Sequence, residues 1–136
     1  MRSLIVLRSL AAGVVLLAAA PVSAQQASLV YRLGKDTLAI EQYTRTATRL
    51  NGEMVQRVGA AVVRVLYDMT IGSDGRPTAA TIRRVQADGS LLPNAPAETR
   101  IRVAADSVIR EIVWADSVQR RAFAATKALV NFPTFV

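Results

Sequence analysis

From Ser28 onward, apolar and polar residues alternate along much of the chain, which is the period of a strand with one buried face. The pattern is clearest in the segment Ala61–Ile71. Its alternate apolar positions are Ala61, Val63, Val65, Tyr67, Met69 and Ile71. The intervening positions include Arg64 and Asp68, and β-branched residues are common throughout, as they are in strands. The alternation therefore predicts one strand whose apolar face is buried.

The residues that follow this segment predict a hairpin. Residues 72–75 read Gly-Ser-Asp-Gly, and an Asp-Gly pair between two alternating segments favours a tight turn. We expect the return strand at residues 78–86, with Pro77 near its start, where the missing amide donor is tolerated. Asp88 and Gly89 predict a second turn directly after that strand.

The N-terminal part of the alternating region predicts another hairpin. Residues 29–33 and 37–44 both alternate, and residues 34–36 read Gly-Lys-Asp, which suits the turn between them. This hairpin would be the first of the domain.

Asn51 and Gly52 predict a turn of their own. Strand-like segments at residues 45–50 and 53–58 flank them. The dipeptide suits a type I′ turn because both central positions of that turn require positive φ. Under this interpretation, residues 37–50 form one long, bent strand.

The C-terminal third contains a short internal echo. Residues 105–107 and 115–117 both read Ala-Asp-Ser, and the offset of ten residues equals about one strand and one turn. After a loop around two prolines at residues 93–96, this spacing predicts strands. They would span residues 99–104, 108–115 and 118–125.

A helix is the alternative for the last of these strands. Ser117 would cap it, and Pro133 lies beyond its end. One face of that helix would carry Val118, Ala122, Ala125 and Leu129. Residues 118–130 are therefore open to either interpretation.

These elements together predict a mainly β fold. We expect an antiparallel meander of six to eight short strands, curled into an open or half-barrel sheet, with one C-terminal helix as the variant. Residues 28–88, with the long strand Ala61–Ile71 and its Asp-Gly hairpin, resemble periplasmic lipoprotein-carrier half-barrel domains and uncharacterised secreted bacterial β domains. In such carriers a curved sheet cups an apolar ligand. This chain is shorter than those carriers, which have more strands and a covering helix, and no functional residue is carried over.

The first 24 residues predict a cleavable secretory signal peptide. Arg2 and Arg8 precede a charge-free apolar run, Pro21 interrupts it, and small residues lead to a cleavage site between Ala24 and Gln25. The run is shorter than the ~20 residues that a spanning helix needs. We therefore expect an exported protein, periplasmic or extracellular, with a single small β-rich domain at residues 25–136 and no transmembrane helix after cleavage.

Composition narrows what an exported domain of this size can do. The chain has no cysteine, so neither a disulfide nor a bacterial lipid anchor on cysteine is available. Lysine and arginine number 17 against 10 acidic residues, but two arginines belong to the predicted signal peptide and the rest are scattered. We accordingly expect no nucleic-acid partner; an envelope protein or a lipid-like ligand fits an exported domain better.

Candidate chemistry is sparse. Histidine and cysteine are both absent, which removes the commonest general base, the thiolate nucleophile and the preferred transition-metal ligands. Residues 72–75 match neither a phosphate loop nor a calcium loop. Glu41, Asp68 and Glu111 lie mid-strand among arginines and are expected to form cross-strand ion pairs on a solvated face. We therefore predict no catalytic, cofactor or metal site and a protein that is not an enzyme.

One strand face suggests a ligand surface. Arg110, Ile112 and Trp114 alternate on one side, which could hold an acyl chain with its anionic head near Arg110. The competing interpretation makes Trp114 and Tyr67 packing residues. The expected function is an exported, non-catalytic binding or interaction module of the envelope.

Two alternatives to that function remain open. The apolar final residues 130–136 would suit a truncated domain of a larger secreted protein, without activity of its own. Phe135 near the end would suit a small outer-membrane β-barrel.

Overall fold

A computed structural model describes residues 24–125 of the chain as eight strands in one antiparallel sheet. The strands are β1 (Gln25–Leu33), β2 (Asp36–Arg45), β3 (Arg49–Val58), β4 (Ala61–Ile71), β5 (Pro77–Gln86), β6 (Glu98–Val103), β7 (Ser107–Val113) and β8 (Val118–Ala124). Each strand pairs with the next one in sequence, which makes the sheet a simple meander. Within residues 24–125, strands contact only their sequence neighbours, so β1 and β8 are the two edges of an open sheet.

The all-β prediction is confirmed, and the helical alternative is wrong where the structure describes it. Residues 118–124 form β8, paired along its whole length with β7. The ladder with β7 pairs the backbone groups on one side of β8, and those on its other side point away from the sheet, as in any edge strand. The part of that alternative beyond residue 125 lies outside the described residues. Residues 24–125 contain no helix long and apolar enough to cross a membrane.

The predicted signal peptide falls almost wholly outside the described residues and stays a prediction. Of its proposed cleavage site, Ala24 opens the described chain and Gln25 is the first residue of β1.

Most predicted hairpins are confirmed because their turns are encoded locally. β4 has the predicted bounds, and β5 begins at Pro77 after the turn at residues 72–75. The two Ala-Asp-Ser segments form equivalent turns: the amide of Ala104 donates to the Ser107 carbonyl at 2.7 Å, and the amide of Trp114 donates to the Ser117 carbonyl at 2.8 Å. The same short motif therefore makes both C-terminal hairpins.

The turn predicted at Asn51 and Gly52 is wrong. Both residues lie inside β3, and Gly52 is not among the glycines with positive φ. The chain reverses at residues 46–48 instead, where the amide of Thr46 donates to the Arg49 carbonyl at 2.8 Å. The predicted bent strand over residues 37–50 is therefore divided between β2 and β3.

All but one of the buried apolar side chains lie on one face of this single sheet, which we call the inner face; it carries Val63, Val65, Tyr67 and Met69 of β4 and the residues in register with them. The exception is Val85, which is in register with Arg64 on the opposite face. The buried apolar side chains of the inner face are Ala39, Met54, Val63, Val65, Tyr67, Met69, Ile71 and Ala80. The connection between β5 and β6 helps to cover this face, because Leu92 packs against the group that includes Met54 and Val65. The opposite side is called the outer face.

The outer face carries charge pairs that cross neighbouring strands. Arg64 donates from Nε to Glu53 at 2.6 Å, and Asp68 accepts hydrogen bonds from Arg49. Glu111 lies 3.9 Å from Arg120 on β8. The expectation of cross-strand ion pairs is thus confirmed for Asp68 and Glu111. Glu41, the third carboxylate of that expectation, lies elsewhere.

Candidate functional site: two grooves on the inner face

The predicted ligand face lies on β7 and points to the inner side of the sheet. Arg110 is in register with Ile101 of β6, and Ile112 is in register with Thr99. Trp114 follows directly after the strand, at the turn into β8. Strand alternation places Arg110 and Ile112 on one side, whereas Trp114 lies outside the strand.

Arg110 and Ile112 line a groove of about 430 Å³ between the sheet and the β5–β6 connection. Three isoleucines form an apolar lining, and Ala95 and Pro96 of the connection contribute the opposite wall. The lining residues are Ile82, Arg84, Ala95, Pro96, Thr99, Ile101, Arg110 and Ile112. The groove, which we call the arginine groove, therefore combines two guanidinium groups with apolar surface.

Two buried side-chain donors have no hydrogen-bond partner among residues 24–125. They are Nε of Arg110 and Nε1 of Trp114. The Arg110 guanidinium lies 5.5 Å from the centre of the Phe123 ring, a cation–π contact that orients it without satisfying the Nε proton. A buried unsatisfied donor costs about 1–3 kcal/mol, so an acceptor atom of a water, an ion or a ligand beside it would be stabilising. An acceptor atom entering here would remove that cost.

Sequence reasoning did not include Arg84 in this site. The one sequence signal for Arg84 is that it lies two residues after Ile82, so the two share a face of β5. Their register with Val65 and Tyr67 shows that this is the inner face. Arg84 belongs to a different hairpin from Arg110. Only the meander of β5, β6 and β7 brings the two arginines to one groove.

The prediction of a solvated ion pair for Glu41 is wrong. The residue is only 6% exposed and lies on the inner face, in register with Met54 of β3 and Leu29 of β1. One carboxylate oxygen accepts the hydroxyl of Tyr67 and the other accepts the hydroxyl of Tyr31, each at 2.5 Å. The mid-strand position suggested an ion pair, but alternation along β2 places this carboxylate on the buried face.

Hydrogen bonding to this carboxylate and burial together make both tyrosines hold their protons more tightly. The hydrogen bond to Glu41, aided by burial, raises the pKa of Tyr31 to about 12. Burial, aided by the hydrogen bond to Glu41, raises the pKa of Tyr67 further. The two phenols are therefore neutral donors throughout the physiological range.

Gly52 makes room for the Tyr67 side of this arrangement. The two residues are directly opposite each other on β3 and β4. A Cβ at position 52 would lie 2.5 Å from the Tyr67 hydroxyl oxygen and 2.6 Å from the Gln42 carbonyl oxygen. An aromatic ring lying over a strand glycine is a known device for filling that gap in a sheet.

A second groove opens beside Glu41. Its volume is about 430 Å³, and we call it the carboxylate groove. It is lined by Gln25, Leu29, Glu41, Tyr43, Arg45, Leu50 and Tyr67. The four strands β1 to β4 each contribute a side chain, so neither hairpin alone contains the groove.

Within residues 24–125, acidic side chains nowhere gather in a group of three able to hold a metal ion. No protein-family model, curated protein or solved structure matches the chain.

Proposed function

We propose that this protein is an exported, non-catalytic binding module that holds an amphipathic anion in the arginine groove. The carrying observation is Arg110, which lines the groove and whose buried Nε has no hydrogen-bond partner among the described residues. A carboxylate or phosphate head is the chemistry that would satisfy this donor. Arginine binds such groups well because its planar fork presents parallel donors to two oxygens.

The apolar part of the ligand follows from the rest of the lining. Ile82, Ile101 and Ile112 surround the guanidinium groups with surface that an alkyl chain can cover. Each buried methylene contributes about 0.8 kcal/mol. A medium-length fatty-acid anion therefore fits the groove better than a polar anion does.

The test is calorimetric titration of the purified full chain with dodecanoate, using dodecanol as the uncharged counterpart. We expect Arg110→Gln to weaken dodecanoate binding about tenfold or more, because a hydrogen bond to a charged group contributes about 1.5–3 kcal/mol. Arg102→Gln is the matched control, since Arg102 lies on β6 and, through its register with Ala79 and Ile109, faces the outer side.

Two results would contradict the proposal. Equal affinity for dodecanoate and dodecanol would show that the head group is not recognised. Unchanged binding in Arg110→Gln, with the fold intact by circular dichroism, would show that recognition lies elsewhere. Native mass spectrometry of protein purified without detergent provides an independent check, because a tightly held natural ligand would appear as extra non-covalent mass.

A further inference from the structure

We propose that the carboxylate groove is a second binding site and that it takes a small organic cation with an apolar substituent, of the alkylammonium class. The site is separate from the arginine groove: β1 to β4 line it, whereas strands β5 to β7 and the β5–β6 connection line the other. The proposal does not depend on the anion-binding function.

The first argument is charge. Glu41 is almost fully buried, and its oxygens accept only the two tyrosine hydroxyls among the described residues. Within residues 24–125, no lysine or arginine forms an ion pair with it. Buried carboxylates in proteins are normally paired with a cation or a metal. A cationic ligand would provide the missing counter-charge.

The second argument is the hydrogen-bonding capacity of the carboxylate. A carboxylate can accept about four hydrogen bonds, and the two tyrosines use one position on each oxygen. Each oxygen therefore keeps acceptor capacity. Because the tyrosine hydroxyls are neutral, they orient the carboxylate and leave its negative charge uncompensated.

The third argument is the lining of the groove. Tyr43 and Tyr67 contribute aromatic rings, and Leu29 and Leu50 contribute alkyl groups. Aromatic rings beside a carboxylate are the combination that recognises alkylammonium groups, because the ring face attracts a positive charge while covering its apolar substituents. A volume of about 430 Å³ is ample for such a ligand.

Arg45 is the one cationic residue in the lining, and it is mainly exposed at the end of β2. It forms no ion pair with Glu41 in the described structure, although both face the inner side four residues apart on the same strand. Arg45 therefore does not provide the counter-charge from within. Its position at the rim disfavours a dication and favours a singly charged ligand.

The experiment uses choline as the probe, with its neutral isostere, in which a tert-butyl group replaces the trimethylammonium group, as the control ligand. Binding to the full chain would be followed by calorimetry and by the amide resonances of Glu41 and Gly52. We expect choline to bind and the neutral isostere to bind about tenfold more weakly or not at all, since cation–π contacts and charge are absent from it.

Two variants separate charge from packing. Glu41→Gln keeps the size of the side chain and one of its two acceptor oxygens but removes its charge, and should abolish the preference for choline. Glu53→Gln is the matched control, because that carboxylate lies on the outer face and pairs with Arg64. Tyr43→Leu keeps both hydrogen bonds to Glu41 and should weaken choline binding by removing one ring, which preserves the test if Glu41→Gln does not fold.

The proposal is overturned if choline and the isostere bind equally, if neither binds at millimolar concentration, or if folded Glu41→Gln retains the full preference. Dodecanoate titration of the same variants distinguishes this outcome from failure of the anion site. Loss of choline binding with unchanged dodecanoate binding assigns the effect to the carboxylate groove alone.

Discussion

Gly52 and Glu41 show how strongly single residues depend on which face of the sheet they occupy. Both lie on the inner face and contact the same residue, Tyr67. Gly52 is directly opposite Tyr67 in the β3–β4 ladder, and Glu41 accepts a hydrogen bond from its hydroxyl. Their residue types suggested a turn and a solvated ion pair. Both predictions are wrong, because the side chain that each residue contacts lies on a different strand.

Replacing Gly52 by alanine should destabilise the protein by about 1–3 kcal/mol, the usual cost of forcing extra volume into a packed core. The new methyl group would meet the Tyr67 hydroxyl at 2.5 Å and the Gln42 backbone carbonyl at 2.6 Å, so a strand or the ring must move. Chemical denaturation of the variant measures the loss.

The control for this prediction is Asn51→Ala in the same strand, where the side chain points to the outer face. It should cost much less than Gly52→Ala. Equal stability of Gly52→Ala and the unmodified protein would mean that Tyr67 does not lie over Gly52.

Among the elements, the edge strand β1 is attached to the sheet by more than its backbone ladder. Tyr31 donates its hydroxyl to Glu41 on β2 and also packs against the core group that contains Ala39 and Met54. Most other residues of β1 are exposed. This partly buried tyrosine is therefore the main side-chain contact between β1 and the core, and its protonation state should influence how firmly β1 is held.

The stability that Tyr31 contributes should be lost at alkaline pH. Folding raises the pKa of this phenol from 10 to about 12, so the folded state favours its proton. The contribution is then complete below pH 10 and disappears as the pH rises through about 12. We expect the free energy of unfolding to fall more steeply over that interval in the unmodified protein than in Tyr31→Phe.

Denaturant unfolding at several pH values, with Tyr43→Phe as the control, checks this expectation. Tyr43 contributes neither hydrogen bond to Glu41, so its variant should keep the alkaline decline. Parallel pH profiles for the unmodified protein and Tyr31→Phe would contradict the proposed role of the hydrogen bond.

The whole molecule is an open meander, and its stability is therefore uneven across the sheet. β4 has a neighbour on each side and carries five of the buried apolar residues, whereas every residue of β8 is exposed. Edge strands also present one row of unpaired backbone groups to their surroundings. Local opening should begin at the edges and reach β4 last.

Hydrogen exchange measured by nuclear magnetic resonance tests this gradient. Among amides that donate within the sheet, those of β4 should exchange at least about tenfold more slowly than those of β8, since β8 can separate from β7 without opening the core. Protection of β8 equal to that of β4 would contradict an exposed edge. Repeating the measurement at lower protein concentration would show whether a second copy provides that protection.

The sequence by itself determined the features that depend on neighbouring residues. Alternation gave β4 its bounds, and the turns at residues 72–75, 105–107 and 115–117 followed from Gly, Asp and Ser chemistry that acts within a few positions. The same alternation put Arg110 and Ile112 on one face, which the register with β6 confirms.

The tertiary structure decided what depends on residues far apart in sequence. The hydrogen-bond partners of Glu41 lie on β1 and β4. Position 52 requires glycine because Tyr67 on the next strand occupies the space of a Cβ. The second guanidinium of the arginine groove comes from Arg84, on a different hairpin from Arg110. Periodicity predicts which side of its own strand a side chain faces. It does not predict which strand pairs with that strand, or in what register. Because both grooves are built across three or more strands, only the folded sheet could assemble them.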